Sequence, residues 1–386
     1  MPTMGVGLIG YSIGRVHTHA WINLPQFHPE ISKPDLVAIC ARNQTAAKSF
    51  AAHYGFKKTY SEWKKMLDDP DLTILDDCAP PNLHAEPCIM AAEQGKAVIC
   101  EKPLARTAEE AYAMYRAVEK TGQVHMTAFN KRFVPAVLLA RDLVHKGALG
   151  NVHHVVATCY NIEYSGGFAD PNYPLNWMFR REIAGHGALT DIGPHIMDMM
   201  RFTVGDIEAV CGATQTFVES RPLPEDPKKK GKVDVDDLSV ACVRFTNGAI
   251  GTLNVSWVPV GTRDYVTLEI YGSKGSLRFT FERPNELELY TSTGDAVTEG
   301  FRTVICNNRN HPLASRFWPD QGSSYGFEQS FVSEIAHFAS SVEKGTSVEP
   351  LGGSFYDGYM ICLLTDELVA SARDGRWHSL QPQPRL

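Results

Sequence analysis

Over its first 130 residues the chain alternates short apolar runs with stretches of helical periodicity, and parallel strands joined by crossover helices are the arrangement that buries both. Met4–Ile9, Leu36–Ala41, Thr73–Asp77, Ala97–Cys100 and Gln123–Ala128 read as strands. Gly14–Leu24, Thr45–Tyr54, Leu83–Gln94 and Ala108–Thr121 read as the intervening helices, the last announced by Thr107 and Glu110 as a capping box. A doubly wound α/β domain over residues 1–130 is the expectation, with ligands bound beyond the carboxyl ends of its strands.

At 386 residues the chain is long enough for a second domain, and its pattern changes accordingly. His153–Tyr160, Ile207–Val218, Leu238–Phe245, Ala249–Trp257, Tyr265–Tyr271 and Ser276–Phe281 are β-rich, with helices expected around Pro194–Thr203, Ser330–Glu343 and Phe355–Arg373. Residues 131–386 are therefore expected to form an α+β domain on a large, mostly antiparallel open sheet, the last helix packing back. The Pro- and charge-rich segment Glu219–Asp237 reads as an exposed loop, and its Lys228–Lys230 triplet as a solvated face.

Composition narrows the function classes. A hydrophobic content of 44% with 21% charged residues is that of a globular protein, and a net charge of −7 provides no field for a nucleic acid. No apolar stretch approaches the roughly 20 residues that cross a bilayer, and the start has no secretory leader, so no membrane partner is expected. The nine cysteines contain no CxxC pair and no ligand spacing with histidine, and read as reduced thiols of a cytoplasmic protein with no metal site.

Four segments carry chemistry. Met4–Ile9 runs into Gly10-Tyr11-Ser12-Ile13-Gly14 and then a helix, the context in which a glycine turn brings a pyrophosphate against helix N-terminal amides. Ser12 stands where the usual middle glycine would, and the turn is one residue short. At the end of the second strand, Ala41-Arg42-Asn43 offers no carboxylate for a ribose, and Arg42 leans the reading towards NADP over NAD. Glu101-Lys102-Pro103 directly follows a buried strand, where a Lys102 ammonium would bind a hydroxyl and stabilise charge developing on it. In the second domain Asp191 and His195 stand four apart as the chain enters a helix, the spacing of one helical face. His195 is suited to accept an alcohol proton and Asp191 to bind a second hydroxyl and orient the ring. Trp177, Phe179, Trp318 and Tyr325 are available to stack on the C–H faces of a ring.

Strand–GYSIG–helix, APPNLH (79–84), EKPLA (101–105) and DIGPH (191–195), in this order and at these distances, resemble the glucose-fructose oxidoreductase/inositol dehydrogenase family over nearly the whole chain. The stretches CEKPLART and HMTAFNKR look most like the cyclic-sugar and cyclitol dehydrogenases of that family. The resemblance implies a Rossmann-type first domain and a catalytic set of Lys102, Asp191 and His195. It implies that Gly10, Ser12, Ile13, Gly14 and Arg42 contact the dinucleotide, and that Pro80, His84, Glu101 and Pro103 line its nicotinamide end. Asn130, Arg132, Tyr160, Trp177 and Arg180 are then expected around the sugar, and a homodimer or homotetramer through the second domain's sheet.

The expected activity is oxidation of a secondary hydroxyl of a cyclic sugar, glycoside or cyclitol to a ketone, with hydride transfer to NAD(P). The alternatives are a tightly held NAD cycling within glycoside cleavage or epimerisation, and a non-catalytic dinucleotide-binding regulator, which has no need of the Lys102, Asp191 and His195 set.

Overall fold

The computed structural model describes residues 4–161, 167–292, 294, 296–317 and 323–386; Trp318 lies outside them. The chain divides into two compact units, one of residues 1–133, 326–360 and 383–386, the other of residues 134–325 and 361–382.

In the first unit the chain runs β1 (Gly5–Ile9), α1 (Gly14–Phe27), β2 (Asp35–Cys40), α2 (Gln44–Tyr54), β3 (Lys58–Tyr60), α3 (Trp63–Leu67), β4 (Ile74–Asp77), α4 (Ala85–Glu93), β5 (Ala97–Glu101), α5 (Ala108–Thr121) and β6 (His125–Ala128). All six strands pair in parallel in the order β3-β2-β1-β4-β5-β6, the doubly wound sheet expected. β1, β4 and β5 are buried throughout, because helices cover both faces of a parallel sheet. Thr107 caps α5 by accepting from the Glu110 backbone N–H at 3.2 Å. The reciprocal half of the box goes elsewhere: Glu110 accepts from the N–H of Arg106 and pairs with its guanidinium.

The second unit holds α6 (Pro135–His145), β7 (Val152–Tyr160), α7 (Arg181–Ala184), α8 (Ala188–Asp191), α9 (Gly193–Val204), β8 (Ile207–Gln215), β9 (Ser220–Leu223), β10 (Asp226–Lys232), β11 (Leu238–Phe245), β12 (Ile250–Ser256), β13 (Tyr265–Gly272), β14 (Gly275–Thr280), β15 (Glu286–Thr291) and β16 (Arg302–Ile305). α10 (Phe327–Lys344) belongs to the first unit, α11 (Phe355–Asp374) begins in the first and continues in the second, and β17 (His378–Ser379) ends the large sheet. That sheet has nine strands, β16-β15-β14-β13-β7-β12-β11-β8-β17, antiparallel except for the parallel pair β7 and β12.

The segment 219–237 departs from its reading as an exposed loop. β9 and β10 form a two-stranded ribbon that carries the exposed Lys228–Lys230, and the chain then turns inward so that Asp236 and Asp237 are buried. Asp237 accepts from the backbone N–H groups of Phe217 at 2.6 Å and Val218 at 2.9 Å and from the Trp257 indole N–H at 2.9 Å. A carboxylate surrounded by N–H donors is satisfied away from water, which composition alone does not report.

Candidate active site

The carboxyl ends of β1, β4 and β5 set out the first unit's functional loops. Gly10 has φ +84°, and a Cβ there would lie 2.6 Å from the carbonyl oxygen of Cys78, so the turn needs glycine. Gly14 opens α1 buried; a Cβ on it would sit 3.2 Å from both methyls of Leu8, so it serves the close approach of helix to strand. Ser12 at the tip of the turn is exposed, and Ile13 is half-buried against the core around Leu8 and Ile39. The N-cap of α1, Ile13, offers no side-chain acceptor to the first-turn amides. A helix N-terminus without an internal cap and a turn too tight for any Cβ fit the pyrophosphate of a dinucleotide.

Arg42 follows β2, exposed, and makes no hydrogen bond or ion pair among the described residues. Asn43 beside it caps α2 by accepting from Ala46 at 3.1 Å. Pro80 is half-buried after β4. His84, 1% exposed, faces the Ala79 carbonyl at 2.7 Å through Nε2 and the Pro103 and Leu104 carbonyls at 3.1 and 3.2 Å through Nδ1. It ties the loop after β4 to the loop after β5.

Lys102 is half-buried at the carboxyl end of β5. Glu101 accepts from the Lys102 backbone N–H at 2.8 Å, which fixes the start of the lysine, and the following bond to the buried Pro103 is cis. The other Glu101 oxygen lies 3.1 Å from His17 Nε2, and His17 Nδ1 lies 2.9 Å from Asp76. His17 was not among the candidates from sequence. A lone histidine on an apolar helix face gives no signal when its partners stand 59 and 84 residues away.

Asn130 and Arg132, expected at the sugar, are 1% and 3% exposed. Asn130 donates to the Ser330 hydroxyl at 3.0 Å, while Arg132 donates to the Gly352 carbonyl at 3.1 Å and pairs with Asp357 at 3.2 Å. Both brace the first unit's later helices, since a short polar run after a strand fills its hydrogen bonds internally when helices cover it.

In the second unit Asp191 ends α8 and His195 lies in the first turn of α9, so the helical face expected of the pair is divided at Ile192. Both are half-buried while their neighbours Ile192, Pro194 and Ile196 are buried. Ile192, not Asp191, is the N-cap of α9. Asp236 secures α8 by accepting from Gly187 at 2.9 Å and Leu189 at 3.0 Å, with Ser239 donating to it at 3.1 Å. Burial pushes the Asp236 carboxyl up, opposed by these bonds. Gly187 is required there, because a Cβ would fall 1.9 Å from the Asp236 carbonyl oxygen.

Tyr160 ends β7, stacked on Tyr265 at 6.0 Å between ring centres, and burial raises its phenol. Trp177 is 42% exposed on a single turn of 3₁₀ helix, which Asn176 caps by accepting from Met178 at 2.8 Å, and Arg180 is half-buried just after it. Phe179 and Tyr325 are core residues, not stacking surfaces. Phe179 packs edge-on to Phe168 and Trp257 with the buried Arg221 guanidinium 4.0 Å from its ring centre, and Tyr325 is 3% exposed against Phe317. Arg221 donates to the Phe168 and Asp170 carbonyls, so this cation braces the aromatic cluster around Phe179.

All nine cysteines are free thiols. His17, Asp76 and Cys78, and separately Asp77, Cys88 and Cys100, bring ligand-type atoms within 4.8 Å of one another. Burial pushes the Cys78, Cys88 and Cys100 thiols up, and they donate hydrogen bonds to Asp76, Asp77 and the Glu101 carbonyl in turn. Among the described residues no helix is long and apolar enough to cross a membrane.

A doubly wound parallel sheet with a glycine turn at β1 and a Glu-Lys-Pro turn at β5, followed by a nine-stranded open sheet, defines a nicotinamide-dinucleotide oxidoreductase of two-unit construction. Residues 4–129 match the model of the oxidoreductase family with an NAD-binding Rossmann fold, and residues 137–278 match that of the GFO/IDH/MocA C-terminal domain. The chain belongs to the GFO/IDH/MocA family of oxidoreductases. It is 40% identical to levoglucosan dehydrogenase of Pseudarthrobacter phenanthrenivorans over 98% of both chains, and 26% identical to inositol 2-dehydrogenase of Rhizobium meliloti over 98% of this chain and 99% of that one. The solved structure of levoglucosan dehydrogenase in complex with NADH and L-sorbose superposes with a TM-score of 0.93 at 39% identity, covering 100% of both chains.

Proposed function

We propose that the protein oxidises a secondary ring hydroxyl of a cyclic sugar, glycoside or cyclitol to a ketone, with a nicotinamide dinucleotide as oxidant. The observation that carries this reading is Lys102 at the carboxyl end of β5, its backbone N–H held by Glu101. A dinucleotide bound at the Gly10–Gly14 turn supplies the hydride acceptor, taking the carbinol hydrogen with both electrons of its C–H bond. Lys102 donates a hydrogen bond to the hydroxyl and stabilises the alkoxide charge as it develops. His195 takes the hydroxyl proton, and Asp191 binds a neighbouring hydroxyl and orients the ring. One C–H and one O–H bond break, a C=O bond forms, and the same groups run the reverse reduction.

Trp177, Arg180 and Tyr160 are the sugar-facing residues of this reading, supported by the exposure of Trp177 and the half-buried setting of the other two. The similar levoglucosan dehydrogenase structures hold NADH with L-sorbose or with levoglucosan, which supports an anhydro- or ketohexose-sized substrate. Those relatives carry NADH; Arg42, exposed after β2 with no carboxylate beside it in the chain, supports a lean towards NADP over NAD as the cofactor here. Free thiols throughout suit a reducing cytoplasm, and self-association as a dimer or tetramer through the second unit's sheet follows the family resemblance. The reading is tested by initial rates of nicotinamide reduction across inositols, anhydrosugars, aldoses and glycosides with both dinucleotides. Dehydrogenation of at least one cyclic polyol is expected, and no turnover with any member sinks it.

A further inference from the structure

We propose that His17 is a positioning residue for the reaction, clamped as an imidazolium between Asp76 and Glu101 so that Glu101 holds the backbone of Lys102 in place. The inference rests on the dehydrogenase reading of Lys102 and adds to it a residue that contacts neither sugar nor dinucleotide.

The geometry is a chain of four groups from three elements. His17 sits one turn into α1, fully buried, with Nδ1 2.9 and 3.2 Å from the two Asp76 oxygens and Nε2 3.1 Å from Glu101 Oε1. Glu101 Oε2 then accepts from the Lys102 N–H at 2.8 Å. A carboxylate only accepts and a neutral imidazole donates from one nitrogen, so two carboxylates facing both nitrogens require one additional proton. Three side chains compete for it. Asp76 also accepts from the Trp21 indole N–H at 2.8 Å and from the Cys78 thiol at 3.4 Å, and Glu101 from Lys102; each of these bonds stabilises a carboxylate and none needs an acid. The proton therefore belongs on His17.

The surroundings agree. The groups that face the imidazole are Asp76 and Cys78 from β4 and its end, Glu101 from β5, and the ring of Phe331 from α10 at 5.4 Å. Burial favours the neutral ring and is the largest influence, but the Asp76 charge, Cys78 and their hydrogen bonds outweigh it and raise His17 well above its ordinary value. Asp76 is fully buried and Glu101 5% exposed, and the role proposed for the cluster is to fix geometry.

Two amides separate the two sides of the clamp. The amide of His17→Gln reaches the place of Nε2 and keeps a donor for Glu101; that of His17→Asn reaches the place of Nδ1 and keeps one for Asp76 only. With a sugar that the parent oxidises, kcat of His17→Asn is expected to fall about tenfold or more while His17→Gln stays within about threefold, and KM for the dinucleotide moves little in either. A role in packing alone lowers both alike, and equal kcat in the two variants overturns the proposal. Nitrogen-15 NMR of the imidazole in the unmodified protein at about pH 8 gives a reading that needs no turnover and no variant. Two protonated ring nitrogens are expected for His17, and a neutral ring overturns the proposal whatever the kinetics. A parent protein inactive on every sugar fails the dehydrogenase reading instead, and the ionisation of His17 is then decided by the spectrum.

Discussion

In the proposed reaction a half-buried lysine after β5 and a half-buried histidine at the start of α9 carry the chemistry, and their loss has separable signatures. Removing a general base costs about 10² to 10⁴ in rate, so His195→Ala is expected to lower kcat by that order while dinucleotide titration is unchanged. The alkaline-rising limb of the pH–rate profile should change in the same variant, and a limb that persists unaltered assigns the base elsewhere. Arg42 makes a prediction of its own. A charge-assisted contact to a 2′-phosphate contributes about 1.5–3 kcal/mol, so Arg42→Ala should weaken NADP by roughly ten- to a hundredfold and leave NAD nearly as it was. Equal effects on the two dinucleotides, measured by fluorescence titration, make Arg42 a surface residue. The residues that sequence did not offer, His17, Asp236 and Asp237, share one physical reason. Each is a charged or titratable side chain buried against partners distant in the chain, and no local pattern distinguishes it from a solvated one.

Elements were most legible where a long periodic run coincides with end signals. α5 spans Ala108–Thr121 as its cap and spacing predict, and five of the six strands of the first sheet fall within two residues of the apolar runs that define them. β3 and α3 were not read, because three residues of strand and five of helix are too short to show a period. β9 and β10 were not read because a charged ribbon lacks apolar alternation. A valine at position 14 would meet Leu8 and Cys78, forcing α1 off β1, so Gly14→Val should abolish dinucleotide binding while sugar-side residues of the second unit stay folded. An unchanged binding curve rejects the turn as the pyrophosphate site. The junction of α7 and α8 gives a pH effect. Burial, with Arg181 and Arg373 nearby, lowers His186 to about 4, so it folds neutral. Its contribution is present above the ordinary value of 6.5 and is lost as pH falls through 4. The loss amounts to roughly 3 kcal/mol over that interval, and His186→Gln should flatten the acid slope of the denaturation midpoint by a comparable amount. A slope identical to the parent's means the histidine does not titrate with folding.

At the scale of the whole molecule, the proposed oxidation of a ring hydroxyl calls on a dinucleotide turn, a lysine held by Glu101 and an Asp191–His195 pair. The fold class and the family were legible because the glycine turn, the Glu-Lys-Pro turn and the Asp-x-x-x-His segment each lie beside an apolar run that fixes their place in the architecture. The side chains expected around a sugar were less so: of the aromatic candidates, Trp177 is exposed whereas Phe179 and Tyr325 are core, a distinction that depends on packing with residues far along the chain. The most direct test is the rate of dinucleotide reduction by the unmodified protein with levoglucosan, inositols and simple glycosides, set beside Lys102→Ala under the same conditions. Turnover of at least one of these polyols is expected, falling about a hundredfold or more in the variant with dinucleotide affinity retained. Turnover in Lys102→Ala within about tenfold of the parent would contradict the account, because the alkoxide would then need no cation at the end of β5.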